Sequence, residues 1–431
     1  MNPESSSPPA QTYAEILREA SIPVVPNRNP GPEYGPDKRL VQMVPTVERS
    51  PGRRLWAGWF SGGQGESPFN YTLLMSSADE GETWSKPDLV IDPPGKVRSF
   101  DETLWLDPQG RLWFFWSQGH TLWDGRVGLW CIVTEEPDKE HPTWSAPRRL
   151  TDGLMLNKPI VHSNGEWIFP VARPGSWNLV NERRMIPKRF QTDIVSLLSP
   201  EEIADLDQKE GAGVYVSNDC GKTFSERGKA VVPPEFSSHF EHMVSECRDG
   251  SLLMLIRTKY GIGKSTSSDA GKTWSPVVES GIPHCSSRFH LRRLQSGNFL
   301  LVIHGSMKSK DENGESFKIP RSHLTAYLSD DDGETWKGGL VLEERGCSYP
   351  DGFQAPDGTI YITYDHERRK AKKILIARFT EEDVLSGHFG SPRSKQNILV
   401  DQATGVVTDD ISWERMRVED GGKDKLIYTG I

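Results

Sequence analysis

The octapeptide SADEGETW (77–84) returns as SNDCGKTF (217–224), SSDAGKTW (267–274) and SDDDGETW (329–336), and all four fit Ser-x-Asp-x-Gly-x-Thr-aromatic. Asp and Gly build a tight turn in which the carboxylate accepts local backbone N–H groups, and the aromatic ring covers the base of a hairpin. One copy would say little, because Asp-Gly turns are common. Four copies in step with a second repeat decide the fold. That second repeat is a Gly-containing turn followed by an apolar, strand-like run, at SPGRRLWAGWF (50–60), DPQGRLWFFW (107–116), SNGEWIFPV (163–171), RDGSLLMLIR (248–257), QSGNFLLVI (295–303) and PDGTIYITY (356–364). Each reads as the turn and second arm of a β-hairpin.

The turn glycines, at 52, 110, 165, 250, 297 and 358, are spaced by 58, 55, 85, 47 and 61 residues. The long third interval holds the most helix-like part of the chain, about 181–210, where Ser199 followed by Glu201 and Glu202 marks a helix start. Antiparallel units repeating at this period close best as a propeller. The expected fold is therefore all-β, a six-bladed β-propeller over residues 39–431 with a short helical insertion. Residues 1–38, rich in Pro, Ser and Asn with a helical pattern at 12–20, are expected to pack outside the first blade. A weakened fifth box is expected in TEEPDKEHPTWSAP (134–147), and closing strands in NILV (397–400) and ISWERMRV (411–418).

Composition narrows the function. Fifty-one Lys+Arg against 60 Asp+Glu give a net charge of −9, so the basic footprint of a nucleic-acid or anionic-membrane binder is missing. Five scattered cysteines form neither a disulfide framework nor a CxxC spacing and read as ordinary thiols. No apolar run is long enough to span a bilayer, and the first residues lack a signal-peptide pattern, so a cytoplasmic protein is expected. His239 and His242 flank Glu241, but on a strand that spacing puts them on opposite faces. No metal and no cofactor are expected. The oligomeric state is not legible.

The Ser-x-Asp-x-Gly-x-Thr-Trp box resembles the signature of the sialidase superfamily, and the likeness extends from about residue 39 to the C-terminus. It implies a sialidase-like six-bladed propeller with structural boxes at its periphery and chemistry at its axis. It also implies individual roles. A glutamate sixteen residues before an arginine across an Asp-Gly hairpin matches Glu241 and Arg257 in FEHMVSECRDGSLLMLIR, and an arginine eight residues before the next box matches Arg321. The nucleophilic tyrosine ahead of a PDGTI hairpin matches Tyr349 in CSYPDGFQAPDGTIYITY. The residue types make chemical sense by themselves. A sugar with a carboxylate at its anomeric carbon repels an Asp or Glu nucleophile, so a neutral tyrosine with a glutamate base is suited to it, and arginine forks suit the carboxylate.

The N-terminal half departs from the family pattern. Where sialidases carry Arg-Ile-Pro this chain has Met43-Val44-Pro45, and the segment GGQGESPFNYTLLMSS lacks the acid aspartate. Glu66 is the nearest carboxylate there, and Asp101 is a second candidate acid. Arg98 in VRSFDETLW, Asn157 and Lys158 in MLNKPIV, Arg288 in SSRFHLRRL and Asp351 are candidate substrate contacts, each with a structural salt bridge or hydrogen bond as the alternative. His366 in TYDHER either lines the pocket or caps a turn. The leading expectation is a retaining exo-glycosidase acting on a terminal acidic sugar of a saccharide or glycoconjugate, with N-acetylneuraminic acid one of several acidic sugars. A propeller lyase acting on a uronic acid and a non-catalytic carbohydrate-binding propeller are the alternatives.

Overall fold

Each of the six Gly-centred turns opens the second strand of a four-stranded antiparallel sheet. The glycines at 110, 165, 250, 297 and 358 hold φ between 79° and 89°, the left-handed region that an L side chain resists; in the first turn Arg53 takes it instead. The computed structural model describes residues 12–63, 65–120, 123–179, 197–307 and 319–406, with the backbone of 416–420 and 423–427. The inner strands of blades 1 to 6 are, in chain order, Gln42–Arg49, Val97–Leu106, Ile160–Val161, Phe240–Glu246, His290–Arg293 and Cys347–Gln354. Three further strands follow in chain order in every sheet, giving a six-bladed propeller in which each blade is one contiguous piece of chain.

The four boxes stand at the exposed ends of the third strands, as the turn chemistry requires. In each, Ser Oγ donates to the Asp carboxylate and accepts the Gly N–H, while the Thr N–H donates to the same Asp, as in Ser77–Asp79–Gly81–Thr83 at 2.8, 2.9 and 2.9 Å. The Thr hydroxyls and amides hold all four carboxyls below their usual range, Asp219 and Asp331 at about 2. The weakened copy follows the third strand of blade 2. There Thr134 Oγ1 accepts the Glu136 N–H at 3.1 Å, and Trp144 packs edge-on against Trp56 with ring centroids 6.0 Å apart.

Tryptophans fill the gap between blades 2 and 3, where Trp105 and Trp113 meet Trp167 edge-on at 4.8 and 6.0 Å. The ring closes by hydrogen bonds between its ends. Arg39 pairs with Asp401 at 3.0 Å, and the amides of Thr404 and Gly405 donate to the Pro36 carbonyl at 2.8 and 3.1 Å. NILV lies in the outer strand of blade 6, Lys395–Gln402. The expectation for ISWERMRV is corrected: Met416–Asp420 pairs with Lys423–Ile427 in a separate ladder, because blade 6 already has four strands. Residues 411–415 lie outside the described residues.

Helix α1 (Tyr13–Ala20), capped by Thr12 and Glu15, lies on blade 2, where the Gln118 amide donates to Ala20 and Ile22 carbonyls at 2.9 and 2.8 Å. Asn27 pairs with Val90 and so covers the outer edge of blade 1. Within the insertion, helix α2 (Pro200–Lys209) starts at Ser199 with Glu202 completing a capping box; residues 181–196 of the expected insertion lie outside the described residues. No described helix is long and apolar enough to cross a membrane.

Candidate active site

Four of the six inner strands break their register at the same place. The ladders slip between Met43 and Thr46, Phe100 and Thr103, Phe240 and Met243, and Ser348 and Asp351. Each slip is a bulge whose first extra residue has positive φ: Val44 (56°), Asp101 (53°), Glu241 (39°) and Tyr349 (56°). A bulge re-aims a side chain that strict alternation would send elsewhere. All four residues line one cavity of about 430 Å³, with Glu66, Arg98, Trp123, His239, Arg257, Arg321, Asp365 and Arg368 among the other walls. The described ladders of blades 3 and 5 run without such a slip.

Glu241, Arg257 and Tyr349 meet. The Tyr349 hydroxyl donates to Glu241 Oε1 at 3.0 Å, and Arg257 Nη1 donates to the same oxygen at 2.6 Å and to the Tyr349 oxygen at 3.3 Å. All three are buried, with Glu241 only 4 % exposed. Burial pushes the Glu241 carboxyl up, but the Arg257 charge, the neighbouring His239 and the Arg257 hydrogen bond outweigh it, and the net direction is down. Burial raises the Tyr349 phenol, the Glu241 charge adds to this, and the charges of Arg257, Arg321 and Arg368 oppose it without reversing it. The pair therefore rests as a neutral phenol hydrogen-bonded to a carboxylate. Glu241 Oε2 is buried with no partner, an open acceptor position in the site.

Two further arginines flank the Tyr349 ring. Arg321, exposed at the mouth, has its guanidinium carbon 5.8 Å from the ring centroid and donates to the Ser286 carbonyl at 2.9 Å. Arg368 lies closer, at 4.7 Å, bound to Asp365 at 2.8 Å and to Ser348 Oγ, with its carbonyl accepting the Gln42 N–H. Sequence reading missed Arg368, Asp365 and Trp123. It singled out TYDHER for His366, yet the carboxylate beside that histidine and the arginine that follows reach the cavity. Arg368 comes from blade 6 to the space beside Met43 and Val44, where the family pattern would have an arginine from blade 1. A search for cations on the blade next to the missing one would have found it.

Glu66 and Arg98 also meet. They form an ion pair at the cavity wall, with Arg98 stacked 4.2 Å over Phe100 and donating to Asn70 at 3.3 Å. Asp101 faces the cavity from its bulge.

The structure does not bring Asn157, Lys158, Arg288, Asp351 or His366 to the cavity wall. The first four form a buried network beneath it, the structural alternative for each. Asn157 Nδ2 donates to the carbonyls of Glu241 and His242, both at 2.9 Å, and its Oδ1 accepts Arg288 Nε at 2.8 Å. Arg288 reaches Asp351 at 3.2 Å, and the other Asp351 oxygen accepts from Thr46 Oγ1 at 2.7 Å and from Lys158 Nζ at 3.2 Å. Lys158 also binds the carbonyls of Val47 and Leu104 and pairs with Glu48. Asn157, Lys158 and Arg288 lie low because the described inner ladders of blades 3 and 5 have no bulge to lift a side chain, and Asp351 because it is the first paired residue after the blade 6 bulge. His366 caps a turn through the Gly346 carbonyl at 3.0 Å. His239 lines the cavity, whereas His242 turns away to the Gly213 carbonyl at 2.8 Å, so the two histidines do not converge.

Residues 53–362 match the family model described as BNR repeat-like domain. Among curated proteins no match is found. The fold is similar to a Dyadobacter fermentans protein of unknown function, at 18% identity over 79% of this chain and 94% of that one, with a TM-score of 0.58. It is also similar to a Hadza microbial sialidase, at 18% identity over 77% of this chain and 65% of that one (TM-score 0.56). The Ruminococcus gnavus intramolecular trans-sialidase, solved with oseltamivir carboxylate, is 14% identical over 81% and 96% of the two chains (TM-score 0.56). At these identities the likeness is one of fold.

Proposed function

The chain belongs to the BNR repeat-like domain family, and from that premise we propose that it is a retaining exo-glycosidase for a terminal acidic sugar. One observation carries the reading: Tyr349 donates to Glu241 at 3.0 Å while Arg257 holds the same carboxylate oxygen, inside a cavity sized for a single sugar. In the first step the Tyr349 oxygen attacks the anomeric carbon as its proton passes to Glu241, and the bond to the leaving oxygen breaks. Water then attacks the same carbon, giving a proton to the group that protonated the leaving oxygen, and the sugar leaves tyrosine, which recovers its proton from Glu241. Two inversions give retention. Arg321, with Arg257 and Arg368 beside it, offers the sugar carboxylate planar donors.

The leaving oxygen needs a proton. Glu66 is tied to Arg98 in an ion pair, so Asp101, which lines the cavity from its bulge, is the better-placed donor. Asp101→Asn is then expected to slow alkyl glycosides far more than activated aryl glycosides, whose leaving groups depart without help. Glu66→Gln should slow both to a similar, smaller extent.

The test is a panel of acidic saccharides, with aryl sialosides, deaminated analogues and glucuronate-capped oligosaccharides, followed by product mass and ultraviolet absorbance beside Tyr349→Phe. Hydrated product that vanishes in the variant supports the reading and names the sugar. A product lighter by one water and absorbing in the ultraviolet makes the protein a lyase. Saturable binding without turnover makes it a carbohydrate-binding propeller.

A further inference from the structure

The turn 284–287 holds both Arg257 and Arg321. Ser286 Oγ accepts from Arg257 Nε at 3.3 Å, and the Ser286 carbonyl accepts from Arg321 at 2.9 Å. His284 and Cys285 belong to the same turn, and His304 ends the second strand of blade 5 beside them. One ring nitrogen of each histidine and the Cys285 sulfur lie within 4.8 Å of one another. We propose that His284, Cys285 and His304 form a binding site for a zinc-class cation, separate from the Tyr349 chemistry.

Three observations carry this. First, the donor set is two imidazoles and a thiol, the mixture preferred by borderline and soft cations over magnesium or calcium. Second, both histidines have one nitrogen already committed. His284 Nε2 bonds the Ser287 carbonyl at 3.1 Å and His304 Nε2 the Cys347 carbonyl at 3.0 Å. A carbonyl only accepts, so both Nε2 atoms carry hydrogen and both Nδ1 atoms present lone pairs. This backbone anchoring of the far nitrogen is what orients a metal-binding imidazole. Third, the His304 Nδ1 lone pair is fully buried and has no partner, an expensive state that a ligand would relieve. His284 Nδ1 accepts the His304 N–H at a long 3.2 Å, a bond that a cation would replace.

A neutral imidazole binds a cation without losing a proton, whereas the Cys285 thiol must lose its own. Forming the metal–sulfur bond releases that proton to solvent, one per ion bound. Ligand atoms around zinc stand roughly 3.5 Å apart, so the half-buried Cys285 side chain closes the remaining distance by rotating. Water completes the fourth position. A bound ion would fix the turn on which both arginines rest.

Cobalt(II) reports the site directly. One equivalent per chain is expected to give a thiolate-to-cobalt charge-transfer band that zinc abolishes, with about one proton released per ion. The band should be lost in Cys285→Ser and His304→Gln and kept in Cys220→Ser, which removes an exposed thiol. In the unmodified protein, saturating zinc should slow alkylation of Cys285 at least about tenfold by peptide mapping. No band at several equivalents, a band that survives in Cys285→Ser, or an unchanged alkylation rate at Cys285 would overturn the site. None of these readouts depends on which sugar the enzyme takes.

Discussion

Tyr349 keeps its proton at rest because burial and the Glu241 charge outweigh three nearby arginines. Glu241 stays charged because Arg257 outweighs burial. The second shift has a definite sign in pH. A carboxyl whose folded pKa is depressed stabilises the fold above its unfolded value of about 4.3, and that contribution disappears as pH falls through the folded pKa. For catalysis the same depression keeps the base available through the ordinary carboxylate range. The acid limb of kcat/KM is therefore expected below about pH 4.3; a limb well above it would mean that a different group is the base. Replacing Tyr349 by Phe should cost roughly 10³-fold or more in kcat, and Glu241→Gln about 10²- to 10⁴-fold, with folding retained in circular dichroism. Glu241 was legible because its sixteen-residue spacing from Arg257 across one Asp-Gly hairpin is local, and Tyr349 because it stands just ahead of another such hairpin. Arg368 was not, because its place beside Val44 is set by closure of the ring and not by anything near it in sequence.

At the scale of the strand, the bulge is the device that makes the site. Val44, Asp101, Glu241 and Tyr349 occupy one position in four blades, and the polar network below ties three of those bulges together. Asn157 is a positioning residue in this account. Asn157→Ala takes away the side-chain partner of two bulge carbonyls and of Arg288 Nε and is expected to cost about 1–3 kcal/mol in urea unfolding. It should also lower kcat with little change in KM, since Glu241 loses its aim while the arginines keep theirs. A loss of stability with kcat intact would make Asn157 a purely structural support. Alternation of two residues per repeat carries no sign of a bulge, so sequence reading placed Asn157, Lys158, Arg288 and Asp351 near the axis but could not place their depth. The box turns and capping boxes were legible because a handful of adjacent residues make all their own hydrogen bonds.

Over the whole molecule, the six repeats state the blade number before any contact is known, and the structure is a six-bladed propeller. The way the ring is closed is less visible in the chain, because it depends on Arg39 meeting Asp401 across 362 residues. Arg39 is 1 % exposed and Asp401 11 % at the side chain, so Arg39→Ala strands a buried carboxylate and is expected to cost about 3–5 kcal/mol. Activity at temperatures well below the new Tm should be nearly unchanged, because the clasp lies away from the cavity wall; a midpoint shift below the error of the melt would remove its role in closure. The inner bulges, the arginines around Tyr349 and the ring that brings them together all serve one central claim, that the Tyr349 oxygen becomes covalently linked to the sugar. Intact-mass and peptide analysis after reaction with a fluorinated acidic glycosyl fluoride tests it most directly. One added glycosyl unit is expected on the peptide carrying Tyr349, absent in Tyr349→Phe. Turnover with no adduct, or an adduct on another residue, would contradict it.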